Sequence, residues 1–484
     1  MCPHTTISRY KLLNLLLLIW LVSLQSIANA DSLPLSSKKF EALLQPVDHA
    51  SVLLLDPQGQ SVVSLDADTP LVPASTMKLV LALMVLEHWG AGHHFETPFF
   101  LEQLDKENDS VEPRHRLWAV AGGDPFLVSE ELELLAHTLI EKLQARGVLS
   151  VSEIAAEVTL FDDVRSVPGQ GQSDNPYDAL PSALAANFNS INLRVKEGRL
   201  YSGEPQTPLT PTALERAGEL GLIDPSSAKI AINNPGRDTD RPVALHKQQP
   251  ATRYNLGSAN ADRSARYVME LLTEFMLRAD GGAVNLSRNY SPILGIAPLN
   301  EPVYVHANSR SLADIVTGML RYSTNFVANQ LALLLTAERT DTAANFELFE
   351  QMTQNYIDQQ FDWSQMHIKE AAGLSRANRL SARALTDVLA AFEPWQNLLP
   401  LYNGKLTTDS EYLQKRFSVR AKTGSLVGVS SLAGRIEDLQ SQETGDGRIW
   451  HFAILLNGDQ VDHSGQRDAV LQELLQQIVS YTSR

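Results

Sequence analysis

The sequence predicts an α+β protein whose main domain is interrupted by a large β-rich insertion, and three observations predict it. Strand patterns stand near both ends of the chain, at 50–65 and 417–458. Apolar helical stretches accompany them at 75–88, 264–279, 311–322, 326–338 and 468–482. Between residues 100 and 260 the texture changes to short polar, Pro- and Gly-containing connections such as VPGQGQSDNPYD and NNPGRDTDRP. At 484 residues the chain is too long for one ordinary domain. The expected units are a discontinuous domain, 31–99 with 261–484, and an inserted region, 100–260.

The elements follow in chain order. Arg9 and Lys11 precede the apolar run LLNLLLLIWLVSL (12–24), and Ala28-Asn29-Ala30 supplies small residues. This reads as a secretory signal peptide, residues 1–30, cut before Asp31. An uncleaved anchor is the alternative, but the apolar run is shorter than the roughly 20 residues of a spanning helix. Cys2 is the one cysteine and would leave with the signal. The mature chain would then rely on its hydrophobic core rather than on disulfides. Export together with acidity points to a bacterial periplasmic enzyme. Asp and Glu outnumber Lys and Arg by 56 to 40, which argues against nucleic acid as a partner, because a phosphate backbone needs a basic surface.

ASVLLLDPQGQSVVSL (50–65) carries two apolar runs about the turn residues Asp56-Pro57-Gln58-Gly59 and reads as a hairpin. Pro73 then precedes an apolar helix from about Ser75 to His88. In the inserted region EIAAEVTLF (153–161) and INLRV (191–195) read as strands. Helices return from 261. FSVRAK (417–422), SLVGVSSLAGRI (425–436) and IWHFAILLNG (449–458) read as strands, and DAVLQELLQQIVSYT (468–482) as a closing amphipathic helix.

The chemistry gathers around Lys78, the one charged side chain between Asp68 and Glu87. Lysine is seldom fully buried without a partner. Ser75 lies one helical turn away, on the same side. Desolvation lowers a lysine's pKa, and a neutral amine beside a serine is the general base that the hydroxyl needs to become a nucleophile. The helix N-terminus adds free N–H groups for an oxyanion. The bland reading is a lysine whose stem packs while its ammonium snorkels to water. S-x-x-K alone decides little, since Ser36-x-x-Lys39 and Ser226-x-x-Lys229 also match, though neither heads an apolar helix.

Two more motifs shift the balance. Lys422-Thr423-Gly424 ends the strand FSVRAK and leads into another. S-x-N is common here, at Ser173-Asp174-Asn175, Ser190-Ile191-Asn192 and Ser258-Ala259-Asn260, but Ser323-Thr324-Asn325 is the one held between two helices, and Ser173, in a Gly/Gln/Pro-rich loop, is set aside. S-x-x-K, S-D-N and K-T-G form the signature of serine enzymes of the β-lactamase and penicillin-binding-protein type, and the three stand here in that order with Thr324 in the middle of the second.

With these motifs the chain resembles the penicillin-binding protein 4 type of D-alanyl-D-alanine carboxypeptidase/endopeptidase, a low-molecular-mass class C penicillin-binding protein. AVAGGDPFL (119–127), ALAANFNSINLRV (183–195), AAGLSRANRLSARAL (371–385) and AKTGSLVGVSSLAG (421–434) match further segments in order. Ala121 and Ala372 depart from the family pattern. The long separation of Lys78 from Ser323 fits the family's insertion. The resemblance implies a β-lactamase/transpeptidase-like domain, with an antiparallel sheet between helical layers. It implies that Ser75 is the nucleophile, Lys78 the base, Ser323 a proton relay and Asn325 a hydrogen-bonding partner of the substrate peptide. Lys422 would supply positive charge, and Thr423, Gly424 and Ser425 would bind the substrate carboxylate and oxyanion.

The implied substrates are peptidoglycan peptides ending in D-Ala-D-Ala, with β-lactams as covalent inhibitors. Asp162, or Asp163 in its place, and Arg376 are weaker candidates for a subsite that takes the peptide's diaminopimelate. Their ordinary reading as exposed charges stands beside this one. No cofactor is implied. A metal is not expected, as the 12 histidines show no H-E-x-x-H spacing. A β-lactamase or esterase on the same fold, and a catalytically weak muropeptide-binding scaffold, are the competing functions.

Overall fold

The computed structural model describes residues 42–483 except 46, 105–112, 225, 227–241, 258–260, 283, 288–292, 362, 364, 405–410, 443–447 and 463. The proposed signal peptide, Cys2, Ser36, Lys39 and Lys229 lie outside the described residues.

The terminal strands build one sheet. β1 (His49–Leu55) and β2 (Ser61–Leu65) form the expected hairpin. β12 (Phe417–Leu426), β13 (Val429–Asp438) and β14 (Ile449–Asn457) form a meander, and β14 pairs antiparallel with β1. The order is β12-β13-β14-β1-β2, so β12 is an edge strand.

Alternation along β1 serves two cores. Val52 and Leu54 pack with the buried face of the last helix, through Val470, Leu471, Leu474 and Ile478. Leu53 turns to the opposite core, with the helix Lys78–Trp89 (α1). Both faces of this antiparallel sheet are thus covered by helices, as the fold class requires. α1 is buried on every side from Lys78 to Leu86, which explains its apolar run without amphipathic spacing.

The inserted unit is larger and more helical than its sequence texture suggests. Its strands are β3 (Glu96–Gln103), β4 (His115–Val120), β5 (Ser150–Glu157), β9 (Asn285–Leu286), β10 (Ile293–Leu294) and β11 (Tyr304–Ala307). They run in the order β10-β5-β4-β3-β11, with β9 also on β5. Since β11 pairs with β3, the unit extends over 96–307 rather than 100–260. The change of texture at 261 marks the start of a helix, not a change of packing partner. That helix, α4 (Ala261–Asp280), joins α2 (Ser129–Ala145) in one core through Leu272, Phe275, Leu135 and Leu139.

The apolar spacing of α2, which includes Leu132, Leu135, Leu139 and Leu143, is a helical signal inside a region whose texture reads as strand-rich. The rest of the insertion holds β6 (Ser190–Lys196), β7 (Arg199–Ser202), β8 (Gln249–Asn255) and α3 (Pro211–Glu219). Its three strands form a separate sheet in the order β7-β6-β8.

After the insertion come α5 (Leu312–Tyr322), α6 (Asn325–Thr340), α7 (Phe346–Gln360) and α8 (Ala382–Ala391). α9 (Gly465–Thr482) closes the chain.

Candidate active site

Ser75 lies in a short 3-10 turn, Ala74–Met77, that leads directly into α1. Ala74 has φ +46, a conformation that L residues seldom adopt. Several contacts hold it there. Ser431 Oγ and Thr76 Oγ1 both donate to the Pro73 carbonyl, at 2.6 and 2.7 Å. Two glycines press on the turn from other segments. A Cβ on Gly424 would stand 2.8 Å from Ser75 N and 2.7 Å from Pro73 O. One on Gly373, which has φ +85, would stand 2.0 Å from Ala74 O. Any larger residue at either position would displace the turn or its neighbour.

Lys78 is completely buried. Its Nζ lies 3.2 Å from Ser75 Oγ, 2.9 Å from Asn325 Oδ1 and 2.5 Å from Ala372 O. Burial lowers its pKa from 10.5 to about 7, against the opposing pull of Glu370. A neutral amine has two N–H groups and one lone pair. Asn325 Oδ1 and Ala372 O have no hydrogen to give, so they take the two N–H groups. The lone pair is then left for the Ser75 hydroxyl. This arrangement can draw the proton from Ser75.

Ser323 joins α5 to α6 in the left-handed conformation, φ 57 and ψ 38. That sharp turn places its hydroxyl and the Asn325 amide at adjoining helix ends. Lys422 comes in from the edge strand β12, also buried, and its Nζ donates to Ser323 Oγ at 3.0 Å and to Thr423 O at 2.7 Å. Burial pushes the Lys422 pKa far down, and the neighbouring Lys78 and Arg467 push it the same way. After Lys422, Gly424 packs against Ser75 while Ser425 is exposed at the mouth of the site. The three motifs therefore meet at one sheet edge. Hydrogen bonds link Ser75, Lys78 and Asn325, and Ser323 is joined to Lys422.

The two weaker candidates part company. Arg376 is exposed and donates from Nη2 to Val427 O at 2.6 Å, in the turn just beyond Ser425. Asp162 is also exposed, but it accepts from Asn345 Nδ2 at 2.7 Å, at the cap of α7. Asp163 pairs with Arg165 at 2.7 Å. No described contact joins either aspartate to the Ser75 cluster. In the set-aside Ser173 loop, Ser173 Oγ donates to Asp178 at 2.6 Å. The same loop still reaches the site, because the Tyr177 carbonyl accepts from Asn325 Nδ2 at 3.2 Å.

Sequence reasoning missed the carbonyls of Ala372 and Tyr177, which carry no side-chain signal. It also missed the hydroxyl of Ser431 and the buried carboxylate of Glu370. The register that sets Ser431 opposite Gly424 would have pointed to the former. A lone glutamate gave no such cue.

Comparisons with known proteins bear on the family and the fold. The model of the D-Ala-D-Ala carboxypeptidase 3 (S13) family matches residues 50–478. A D-alanyl-D-alanine carboxypeptidase of an Actinomadura species is 25% identical over 454 residues, covering 86% of this chain and 78% of the relative. The crystal structure of penicillin-binding protein 4 from Haemophilus influenzae superposes with a TM-score of 0.64 at 18% identity. That match covers 91% of this chain and 99% of the other. The same protein complexed with a β-lactam gives a TM-score of 0.61, with the same identity and coverage. At such identity these two structures speak to the fold.

Proposed function

The chain belongs to the D-Ala-D-Ala carboxypeptidase 3 (S13) family, and from that premise we propose that it cleaves D-Ala-D-Ala peptides of peptidoglycan through a Ser75 acyl-enzyme. It is a serine carboxypeptidase by family and by its D-Ala-D-Ala carboxypeptidase relative. The observation that carries the acyl-enzyme reading is the buried Lys78 amine, held 3.2 Å from Ser75 Oγ with Asn325 Oδ1 and Ala372 O as acceptors for its hydrogens.

Lys78 takes the Ser75 proton as Oγ attacks the carbonyl carbon of the penultimate D-Ala. The carbonyl π electrons move to oxygen, and the backbone N–H groups of Ser75 and Ser425 stabilise that oxyanion. The C–N bond then breaks. The proton held by Lys78 passes by way of Ser323 to the departing D-Ala nitrogen. Lys422 and Thr423 hold the substrate's terminal carboxylate, and Asn325 holds its peptide group. Water afterwards attacks the ester, regenerating Ser75 and releasing the shortened peptide.

Endopeptidase action on cross-bridges is part of the same proposal, since a cross-bridge presents a similar D-Ala carbonyl. So is a periplasmic location, reached by cleavage of residues 1–30. A β-lactam presents a strained amide to the same nucleophile and is expected to acylate it.

Penicillin labelling of residues 31–484, read by intact mass beside Ser75→Ala, tests the reading. A stable adduct that the variant lacks is the expected result. Rapid penicillin hydrolysis without an adduct would favour a β-lactamase instead. Intact penicillin with no adduct would overturn the acyl-enzyme reading. Digestion of purified muropeptides would then separate terminal trimming from cross-bridge cleavage.

A further inference from the structure

Glu370 is fully buried, yet both its carboxylate oxygens are occupied by donors from its own segment. Oε2 accepts from Ala372 N at 2.7 Å. Oε1 accepts from Ser375 N at 3.1 Å and from Asn378 Nδ2 at 2.9 Å. Asn378 Nδ2 also donates to the Glu370 carbonyl at 3.2 Å, and Asn378 Oδ1 accepts from Lys369 N at 2.7 Å. Residues 370–378 are therefore wound around one side chain.

Two parts of this turn touch the reacting groups. The Ala372 carbonyl is the 2.5 Å acceptor of Lys78 Nζ and lies 3.3 Å from Ser75 Oγ. Gly373 packs its Cα against the Ala74 carbonyl.

We infer that Glu370 is a positioning residue for the reaction: its carboxylate holds the Ala372 carbonyl against Lys78 and supplies the negative charge that the amine faces. The inference rests on the reading of Lys78 as the base. Position matters because the Ala372 carbonyl takes one amine hydrogen and so turns the lone pair toward Ser75. Charge matters because burial works against a protonated Lys78, and the neighbouring amine of Lys422 has no negative charge to offer. Glu370 opposes the effect of burial on Lys78. It keeps the amine basic enough to accept a proton while burial keeps it neutral enough to be free.

The test is the pH profile, from pH 5 to 10, of penicillin acylation of residues 31–484 in wild type, Glu370→Gln and Glu370→Asp, with the melting temperature of each. The wild-type rate constant should rise through about pH 7, where Lys78 loses its proton. Glu370→Gln removes the charge and keeps the length, although its NH2 must replace one accepting oxygen, so the limb and not the plateau reports on charge. The variant's rising limb should move down by roughly one pH unit, and its plateau should fall about tenfold. Glu370→Asp keeps the charge on a shorter arm. Its limb should stay within a few tenths of a unit, while its plateau falls about tenfold from the displaced carbonyl.

An unmoved limb in Glu370→Gln, with any change of rate following the melting temperature, overturns the charge role. A wild-type plateau in Glu370→Asp overturns the positional role. Should Glu370→Gln not fold, the 13Cε-lysine NMR titration of Lys78 in wild type and Glu370→Asp decides the charge role. The displaced carboxylate should lower that titration midpoint slightly, and a raised midpoint overturns it. A wild-type profile without a rising limb, or normal acylation by Lys78→Arg, would instead refute Lys78 as the base.

Discussion

The two buried lysines of the site sit in opposite electrical surroundings. Lys78 has two fixed acceptors for its hydrogens and feels the carboxylate of Glu370. Lys422 has Ser323 Oγ and the Thr423 carbonyl, and the charges it feels, Lys78 and Arg467, are both positive. Burial depresses both pKa values, but the remaining balance differs. The Lys78 region is nearly neutral as it stands and is suited to exchanging a proton with Ser75. Among the described residues, the charges that act on Lys422 itself are positive, and the terminal carboxylate of a D-Ala peptide would supply a negative one. On the proposed reading, the same side chain serves as a base in the first setting and as an anion receptor in the second.

The largest effect that would break this contrast comes from Lys78→Met. Acylation by penicillin should fall by about 10³-fold or more, as loss of a general base predicts. The stability effect should have a definite sign. Lys78 has a folded pKa of about 7 against 10.5 unfolded, so between these values the unfolded chain binds the extra proton. The cost of burying Lys78 is then full below pH 7 and fades as pH rises to 10.5. Wild type should gain about 2–3 kcal/mol relative to Lys78→Met between pH 7 and 9. Chemical denaturation at the two pH values would measure it, and a pH-independent difference would contradict the burial cost.

Lys422→Gln should have a smaller and more selective effect. Turnover of a D-Ala-D-Ala peptide should drop by about 10²-fold, while the same peptide with its terminal carboxylate amidated should lose much less. Equal losses for the two substrates would mean that Lys422 acts through Ser323 alone.

The smallest signal is the most direct. Binding of a D-Ala-terminated peptide to Ser75→Ala should take up a fraction of one proton, because burial holds the Lys422 pKa down and the incoming carboxylate raises it. Calorimetry in buffers of different ionisation enthalpy would detect it. No uptake would imply that Lys422 is already charged in the empty site.

The contrast is partly legible in the sequence. A charge in an apolar run stands out, and so does a K-T-G at the end of an alternating strand, and together with the known three-motif signature they single out Ser75, Lys78 and Lys422. Ser323 is distinguished from Ser173 by lying between two helices, and the fold puts it on Lys422. What compensates Lys78 is not legible. Glu370 and the Ala372 carbonyl depend on how one turn folds back on another segment, and no spacing along the chain encodes that. Asp162 and Arg376 look alike in the sequence, and only the fold directs Arg376 to the β12–β13 turn and Asp162 to α7. The limits of the insertion mislead for a related reason. Texture reports local composition, whereas the boundary is set by β11 returning to pair with β3.

The antiparallel pairing of β1 with β14 also governs the order in which this enzyme can come into being. In a chain made from its N-terminus, Ser75 and Lys78 are complete early, yet the strand beside them has no partner on one edge until β14 arrives. Such distant pairing is slow, and an open edge is prone to aggregation while it waits. Within the chain, β3, β4 and β11 can meet well before that. The insertion is thus free to mature first, with the catalytic sheet assembling last. A chain that stops short of β14 would carry all three motifs without the strand that joins β13 to β1.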